Sequence, residues 1–238
     1  MQIIKEKMPE PQLYDESYYH ARYPDYYKNR YVTKWPWALY VLKPKAGENI
    51  VDIGTGTGHI AWLISRCKAH VKSIDISEYA ITQARQYYSS DNLKFECCDI
   101  LTTPLSENTY DAAMLLETLE HISREDSLKM LRNVCNSINK DGRIIVSCPL
   151  NQFTLRGKLR NAVLVILRRP PFDPTHVRNI TETSLREDFQ ISGFEVVSVS
   201  YLLFERYIPF IQHIPILANF LAGGIVVEGR KRILVQDE

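Results

Sequence analysis

The sequence predicts an α/β fold, a doubly wound Rossmann-like domain with seven mostly parallel strands, helices on both faces and an antiparallel last strand. Two observations support this prediction. Short β-rich runs alternate with segments of helical apolar spacing from residue 49 onward, and a glycine-rich turn joins the first of these strands to the helix that follows it. With 238 residues, of which 45% are apolar, the chain is long enough for one such domain.

The first half of the domain is predicted as three strands with two helices between them. The first run of β-favouring residues ends at a glycine, and the segment after it has apolar residues at helical spacing. Ser77 stands where it can cap the second helix. The predicted strands are 49–53, 71–75 and 93–98, and the predicted helices are 60–67 and 77–88.

The second half continues the alternation and ends in two strands. A polar turn precedes the fourth strand, and Asp141-Gly142 forms the predicted turn into the fifth. Two longer segments, 149–173 and 201–222, separate elements of this half. The predicted strands are 110–116, 143–148, 194–200 and 224–228, and the predicted helices are 123–138 and 182–192.

The composition disfavours several classes of protein. The 29 Lys and Arg residues balance 28 Asp and Glu residues, so no overall field attracts nucleic acid or an anionic membrane. The five cysteines lack C-x-x-C spacing and lie mostly in apolar runs, which indicates buried, reduced thiols and a cytoplasmic protein. Residues 1–11 do not resemble a signal peptide, and residues 201–227 are too interrupted for a membrane span.

The turn after the first predicted strand, Asp52-Ile-Gly54-Thr-Gly56-Thr-Gly58, predicts a ligand-binding loop. Only residues without a Cβ let the backbone turn this sharply and approach a ligand closely. The third glycine comes one residue too early for the dinucleotide fingerprint, and no Gly-Lys-Ser/Thr follows to bind a triphosphate. Asp75 ends the second predicted strand and Asp99 follows the third, at the edge where ligands bind in open α/β sheets.

These motifs, together with Ser73-Ile-Asp75 and Cys98-Asp99, resemble those of class I S-adenosylmethionine-dependent methyltransferases over about residues 36–200. The resemblance implies that the three glycines pack against the amino-acid part and the ribose of S-adenosylmethionine. It also implies that Asp75 holds the ribose hydroxyls, that Asp99 reaches the adenine amine, and that Asp52 binds the methionine end or orients the loop. The predicted cofactor-binding residues are Asp52, Gly54, Gly56, Gly58, Asp75, Ile76, Asp99, Ile100 and Leu116.

A second motif, Glu117-Thr-Leu-Glu120-His121, follows the fourth predicted strand. In a helical turn its two carboxylates and its imidazole would share one face and could hold a divalent cation, although acidic residues are also favoured at any solvated helix start. His176 lies downstream in a polar segment. The set resembles that of ubiquinone-pathway O-methyltransferases and of small-RNA 3′-terminal 2′-O-methyltransferases.

This second resemblance implies that Glu117, Glu120, His121 and His176 bind Mg²⁺ or Mn²⁺ beside the methyl acceptor. If they bind no metal, His121 or His176 is the predicted catalytic base, because an acceptor hydroxyl must lose its proton as it is methylated.

A single domain is predicted for residues 1–238, with 1–44 as an N-terminal helical lid, 45–150 as the cofactor-binding core, and 151–238 as a substrate-side insertion followed by the C-terminal strands. Eight of the 14 tyrosines lie in the first 40 residues, where their rings could line an acceptor site or pack against the sheet. The basic residues of 149–173 are suited to an anionic acceptor or a membrane surface, or they form a solvated helix face. The apolar segment 201–222 is predicted either to complete an apolar pocket or to form a dimer contact.

The leading functional hypothesis is S-adenosylmethionine-dependent methyl transfer to a small-molecule acceptor, at a hydroxyl oxygen and with the help of a metal if the cluster is real. The first alternative is RNA 2′-O-methylation, which the balanced charge and the lack of a recognisable RNA-binding module disfavour. The second is a cofactor-binding partner subunit without catalytic activity.

Overall fold

The core of the protein is one mixed β-sheet. A computed structural model describes residues 11–22, 36–150, 157, 158, 162, 173, 175–203, 206, 207 and 223–232. Its strands are β1 (Asn49–Ile53), β2 (His70–Asp75), β3 (Leu93–Cys97), β4 (Tyr110–Leu116), β5 (Ile138–Pro149), β6 (Phe194–Leu203), β7 (Arg206–Tyr207) and β8 (Gly224–Lys231).

The sheet has the order β3-β2-β1-β4-β5-β8-β6-β7. Strands β1 to β5 are parallel, whereas β8 is antiparallel to both of its neighbours, β5 and β6. The predicted mostly parallel sheet with an antiparallel last strand is therefore confirmed, and the two-residue β7 adds a short edge strand to the seven predicted ones. The strand order reverses between β1 and β4, which is where open α/β sheets bind their ligands.

Helices cover both faces of this sheet, as predicted. They are α1 (Glu16–Arg22), α2 (Pro36–Leu42), α3 (His59–Arg66), α4 (Glu78–Tyr87), α5 (Arg124–Ser137) and α6 (Glu182–Ile191), with 3₁₀ turns at Pro11–Tyr14 and Leu119–His121. Alternate residues of β1 serve the two faces: Ile50 packs in one apolar cluster with α2 and α3, while Val51 and Ile53 pack in the other with α5 and α6.

Polar side chains start three of the helices. Ser77 and Ser123 each accept a hydrogen bond from a backbone N–H of the first turn of α4 and α5, at 3.1 Å in both cases. Thr181 and Ser184 form a reciprocal capping box at the start of α6. These caps explain why local sequence predicted the helix starts well.

Two expectations were wrong. Strand β5 begins at Ile138 and not at residue 143, because Ile138 already pairs with Tyr110 before the register shifts along β4. The cysteines are not uniformly buried: Cys67 and Cys97 are exposed, since the first follows the surface end of α3 and the second ends β3 at the sheet edge.

Several predicted features lie mainly outside the described residues, namely the region 23–35 of the lid, most of the insertion 149–173 and most of the apolar segment 201–222. No helix in the described parts of the chain has the length and apolar character needed to cross a bilayer.

A buried ion pair fixes the segment before α6 to the body of the domain. An Nη of Arg178 lies 2.5 Å from Oδ2 of Asp188, and the other Nη donates to Oγ of Ser127 at 2.6 Å. Arg124 donates from Nε to the second oxygen of Asp188 at 2.8 Å. Asp188 is fully buried, so these contacts are needed to compensate for the lost hydration of its charge.

Replacing Arg178 by Met should reduce the free energy of unfolding by about 3 kcal/mol, because Asp188 then keeps Arg124 as its remaining cationic contact among the described residues. Urea unfolding measures this loss. The matched control, Arg186→Met, removes an exposed pair with Glu182 in α6 and should cost less than about 1 kcal/mol. Equal losses in the two variants would contradict this account of the segment.

Candidate active site

The glycine-rich loop between β1 and α3 needs its glycines for two different reasons. Gly54, Gly56 and Gly58 all have a left-handed backbone, with φ of 73°, 55° and 83°. A Cβ on Gly54 would lie 2.5 Å from Oγ1 of Thr118, and one on Gly58 would lie 2.5 Å from the ring of Phe95. These two glycines therefore allow close packing within the protein itself.

Gly56 is different because its surroundings are more open. Among the described residues, a Cβ there would meet only the Tyr19 hydroxyl within 4 Å, at 3.7 Å. Its N–H donates to Oδ2 of Asp75 at 2.7 Å, while Oδ1 of Asp75 accepts from the N–H of Ser77 at 2.9 Å. The carboxylate at the end of β2 thus holds both the glycine loop and the start of α4.

Burial dominates the acid–base properties of the two aspartates beside this loop. It raises the pKa of Asp75 above its usual range. Asp52 in β1 is 3% exposed, and burial together with the nearby Asp75 charge raises its pKa to about 7. Asp52 therefore changes protonation state near neutral pH.

The structure places the other predicted cofactor residues along the same edge of the sheet, after β2, β3 and at the end of β4. Oδ1 of Asp99 accepts the N–H of Leu101 at 2.8 Å. Ile76 and Leu116 are half-buried, whereas the side chain of Ile100 belongs to the apolar core. Their contacts with a cofactor stay a prediction.

Three of the four predicted metal ligands come together beyond the end of β4. Glu120, His121 and His176 each offer one ligand atom, and these atoms all lie within 4.8 Å of one another. The two imidazole centroids are 4.7 Å apart, and Nε2 of His176 lies 3.8 Å from Oε1 of Glu120. Two imidazoles and a carboxylate therefore converge at one point of the protein.

The Glu120 carboxylate is buried with little to offset the loss of its hydration. The residue is 0% exposed, and neither carboxylate oxygen has a hydrogen-bond partner among the described residues. Burial, followed by the negative charge of Glu117, raises the pKa of Glu120 well above its usual range. Such a group needs either a proton or a cation to be neutralised.

Glu117 does not belong to the same helical turn, contrary to the expectation. Its backbone is left-handed, with φ of 52°, and the 3₁₀ turn begins only at Leu119. The Glu117 N–H donates to the Ser147 carbonyl at 3.0 Å, and Ser147 Oγ donates to Glu117 Oε1 at 2.9 Å. Because Glu117 pairs with β5, it lies outside the helical turn and does not share a helix face with Glu120.

Backbone hydrogen bonds bring His176 to this turn. The carbonyl oxygen of Glu120 accepts the N–H of Val177 at 2.9 Å and that of Arg178 at 3.4 Å. His176 precedes these two residues, so the same contact that holds the segment also sets the imidazole beside Glu120.

The N-terminal tyrosines reach both parts of the site. Tyr14 packs edge to face on His121, with centroids 5.7 Å apart, and its carbonyl accepts the Ser77 hydroxyl at 2.6 Å. Burial raises the pKa of Tyr14. Tyr18 donates to Oδ2 of Asp173 at 2.8 Å, and Tyr19 packs near Gly56. That they contact an acceptor stays a prediction.

Sequence reasoning missed Thr118, Asp173 and Thr175 as parts of this site. Thr175 Oγ1 lies 2.9 Å from Nδ1 of His121 and 2.6 Å from Oδ1 of Asp173. The polar string before His176 is a signal for a turn at Asp173 and Thr175, but no local pattern indicates that this turn meets His121.

The chain resembles known methyltransferases. A family model described as a methyltransferase domain matches residues 25–199. The chain is 28% identical over 164 residues to an O-methyltransferase of Penicillium expansum, covering 67% of this chain and 56% of the relative. It is 26% identical over 103 residues to a ubiquinone biosynthesis O-methyltransferase of Coxiella burnetii, covering 42% and 43%. The chain spans about half the length of the curated relatives it matches.

The fold has relatives among solved structures. One is an S-adenosylmethionine-dependent methyltransferase from Archaeoglobus fulgidus, with a TM-score of 0.66 and 16% identity over 90% of this chain and 100% of the other. At this identity the likeness establishes the fold alone.

The raised pKa of Asp52 predicts a specific pH dependence of stability. Between about pH 4 and pH 7 the unfolded carboxyl is ionised while the folded one keeps its proton, so the free energy of unfolding falls as pH rises through this window. The change amounts to at most about 4 kcal/mol. The Asp52→Asn variant should lack this fall in the free energy of unfolding, and it should be more stable than the parent protein at neutral pH.

Urea unfolding at a series of pH values measures this difference. Asp91→Asn, at an exposed position, serves as the control, and its free energy of unfolding should change with pH as that of the parent does. If the free energies of unfolding of Asp52→Asn and of the parent change with pH in the same way between about pH 4 and pH 7, Asp52 is ionised in the folded state throughout this window.

Proposed function

The chain belongs to the class I S-adenosylmethionine-dependent methyltransferase family, and on that premise we propose that it transfers a methyl group to a hydroxyl oxygen of a small-molecule acceptor. The observation that carries the choice of oxygen is the meeting of two imidazoles with a buried carboxylate next to the proposed cofactor edge. Methyl transfer to a hydroxyl requires that a proton leave, and imidazole is suited to accept it near neutral pH.

The glycine loop and Asp75 are the proposed cofactor site. S-adenosylmethionine supplies a methyl group that its sulfonium centre has already activated. The open surroundings of Gly56 fit the close approach of a ligand, because among the described residues only the Tyr19 hydroxyl lies within 4 Å of the place that a Cβ would take there. Asp75 is proposed to accept hydrogen bonds from the ribose hydroxyls, and Asp99 is proposed to accept a hydrogen bond from the adenine amine.

The chain's own part in catalysis is then mainly positioning. An in-line arrangement of the acceptor oxygen and the methyl group converts binding energy into rate. We assign His121 and His176 the role of holding the acceptor hydroxyl or taking its proton. Tyr14 and Tyr18 lie beside these groups and offer rings that exclude water from the acceptor side.

The residues also fit a divalent metal ion. Neither buried oxygen of Glu120 has a hydrogen-bond partner among the described residues, which is the environment expected of a carboxylate that binds a cation. Glu120, His121 and His176 would hold the ion, which would lower the pKa of an acceptor hydroxyl bound to it. A donor set with two imidazoles favours Mn²⁺ over Mg²⁺, since Mg²⁺ prefers oxygen ligands.

Asp75→Asn should weaken binding of S-adenosylhomocysteine by about 10–100-fold, because a hydrogen bond to a charged group contributes about 1.5–3 kcal/mol. Titration calorimetry measures the affinity. Asp91→Asn is the control, at an exposed carboxylate after α4, and should bind like the parent. Unchanged affinity in Asp75→Asn would remove Asp75 from the cofactor site.

Glu120→Gln should weaken Mn²⁺ binding by more than about 100-fold, since changes outside the ligand set alone cost about 10–100-fold. Calorimetry with MnCl₂ measures this affinity, and Glu125→Gln on the exposed face of α5 is the matched control.

In the parent protein, removal of metal with a chelator should abolish methyl transfer, and added Mn²⁺ should restore it. Full activity in chelator would refute the metal site and leave the histidines as the base.

A further inference from the structure

A chain of hydrogen bonds connects His121 to a buried carboxylate through one hydroxyl group. Thr175 Oγ1 lies between Oδ1 of Asp173, at 2.6 Å, and Nδ1 of His121, at 2.9 Å. Asp173 is 5% exposed. Because a hydroxyl has one proton and can also accept hydrogen bonds, the direction of the chain depends on which partner receives that proton.

The surroundings of Asp173 decide this direction. Oδ1 accepts the backbone N–H of Thr175 at 2.9 Å, and Oδ2 accepts the hydroxyl of Tyr18 at 2.8 Å. An environment of donors favours the ionised carboxylate, which can only accept. The 2.6 Å distance to Thr175 Oγ1 is that of an O–H donor on a carboxylate. The single proton of the Thr175 hydroxyl therefore points to Asp173.

The Thr175 oxygen is then left as an acceptor toward His121, so Nδ1 of His121 must carry a proton. We propose that Asp173 and Thr175 are positioning residues that hold His121 in the Nδ1–H tautomer, so that Nε2 is the nitrogen that offers its lone pair in the reaction. The inference rests on the proposed function, in which that lone pair takes the acceptor proton or binds the metal ion.

Tyr18 extends this chain to the N-terminal segment. Its hydroxyl is one of the donors around Asp173, although 155 positions of sequence separate the two residues. Docking of α1 thus supports the ionised state of Asp173 and, through Thr175, the tautomer of His121. Outer-shell groups of this kind fix both the tautomer and the ring orientation of a functional histidine.

The experiment is a long-range ¹H–¹⁵N correlation spectrum of protein labelled with ¹⁵N at histidine, freed of metal and held at about pH 8, above the ordinary pKa of histidine. The nitrogen coupled to both ring carbon protons is Nε2, and its chemical shift shows whether it carries a proton. A His121→Gln spectrum assigns the signals. The parent should show His121 with Nε2 unprotonated.

Thr175→Val keeps the shape of the side chain and removes the hydroxyl, so the Nδ1–H pattern should be lost. Thr175→Ser keeps the hydroxyl and should restore it, while Thr183→Val, exposed on α6, should leave it unchanged. Affinity for Mn²⁺ and kcat/KM should fall by about 10–100-fold in Thr175→Val and recover in Thr175→Ser.

An Nε2–H tautomer in the parent, or an unchanged tautomer in Thr175→Val with a native circular dichroism spectrum, would overturn the proposal. The spectrum needs neither cofactor nor acceptor. A protein that transfers no methyl group but shows the Thr175-dependent tautomer would therefore refute the proposed function and leave this inference standing.

Discussion

The hydrogen bond from the Val177 N–H to the Glu120 carbonyl oxygen decides where the candidate acceptor site forms. It joins the turn after β4 to the segment before α6 and so puts His176 beside Glu120. The buried pair of Arg178 and Asp188 holds the next residue of that segment against α5 and α6. The position of His176 therefore depends on the packing of α5 and α6, which contribute none of the candidate site residues.

The site also concentrates buried carboxyl groups in a small region. Burial raises the pKa of Asp52, Asp75 and Glu120, so each is less stable as an anion here than in water. A fold that was optimised for stability alone would replace or pair such groups. Their presence together at this edge of the sheet is one ground for the proposal that a cofactor and a cation bind there.

Local patterns predicted the elements because each depends on neighbouring residues. Alternation marked the strands, and the hydroxyl of Ser77 marked a helix start that the structure confirms. The start of β5 was missed for a different reason: Ile138 becomes part of a strand only because Tyr110 is there to pair with it. Pairing between distant segments leaves no mark on the local sequence.

The sequence by itself determined the sheet, the glycine turn and the residue types that the edge of the sheet offers for chemistry. It did so because periodicity, glycine and capping act within a few positions of the chain. Only the tertiary structure decided which of these residues meet. Glu117 turns to Ser147 because its backbone pairs with β5, and Tyr18 reaches Asp173 across 155 positions because α1 docks over the site. Such choices follow from the packing of distant elements, so they are made when the whole domain folds.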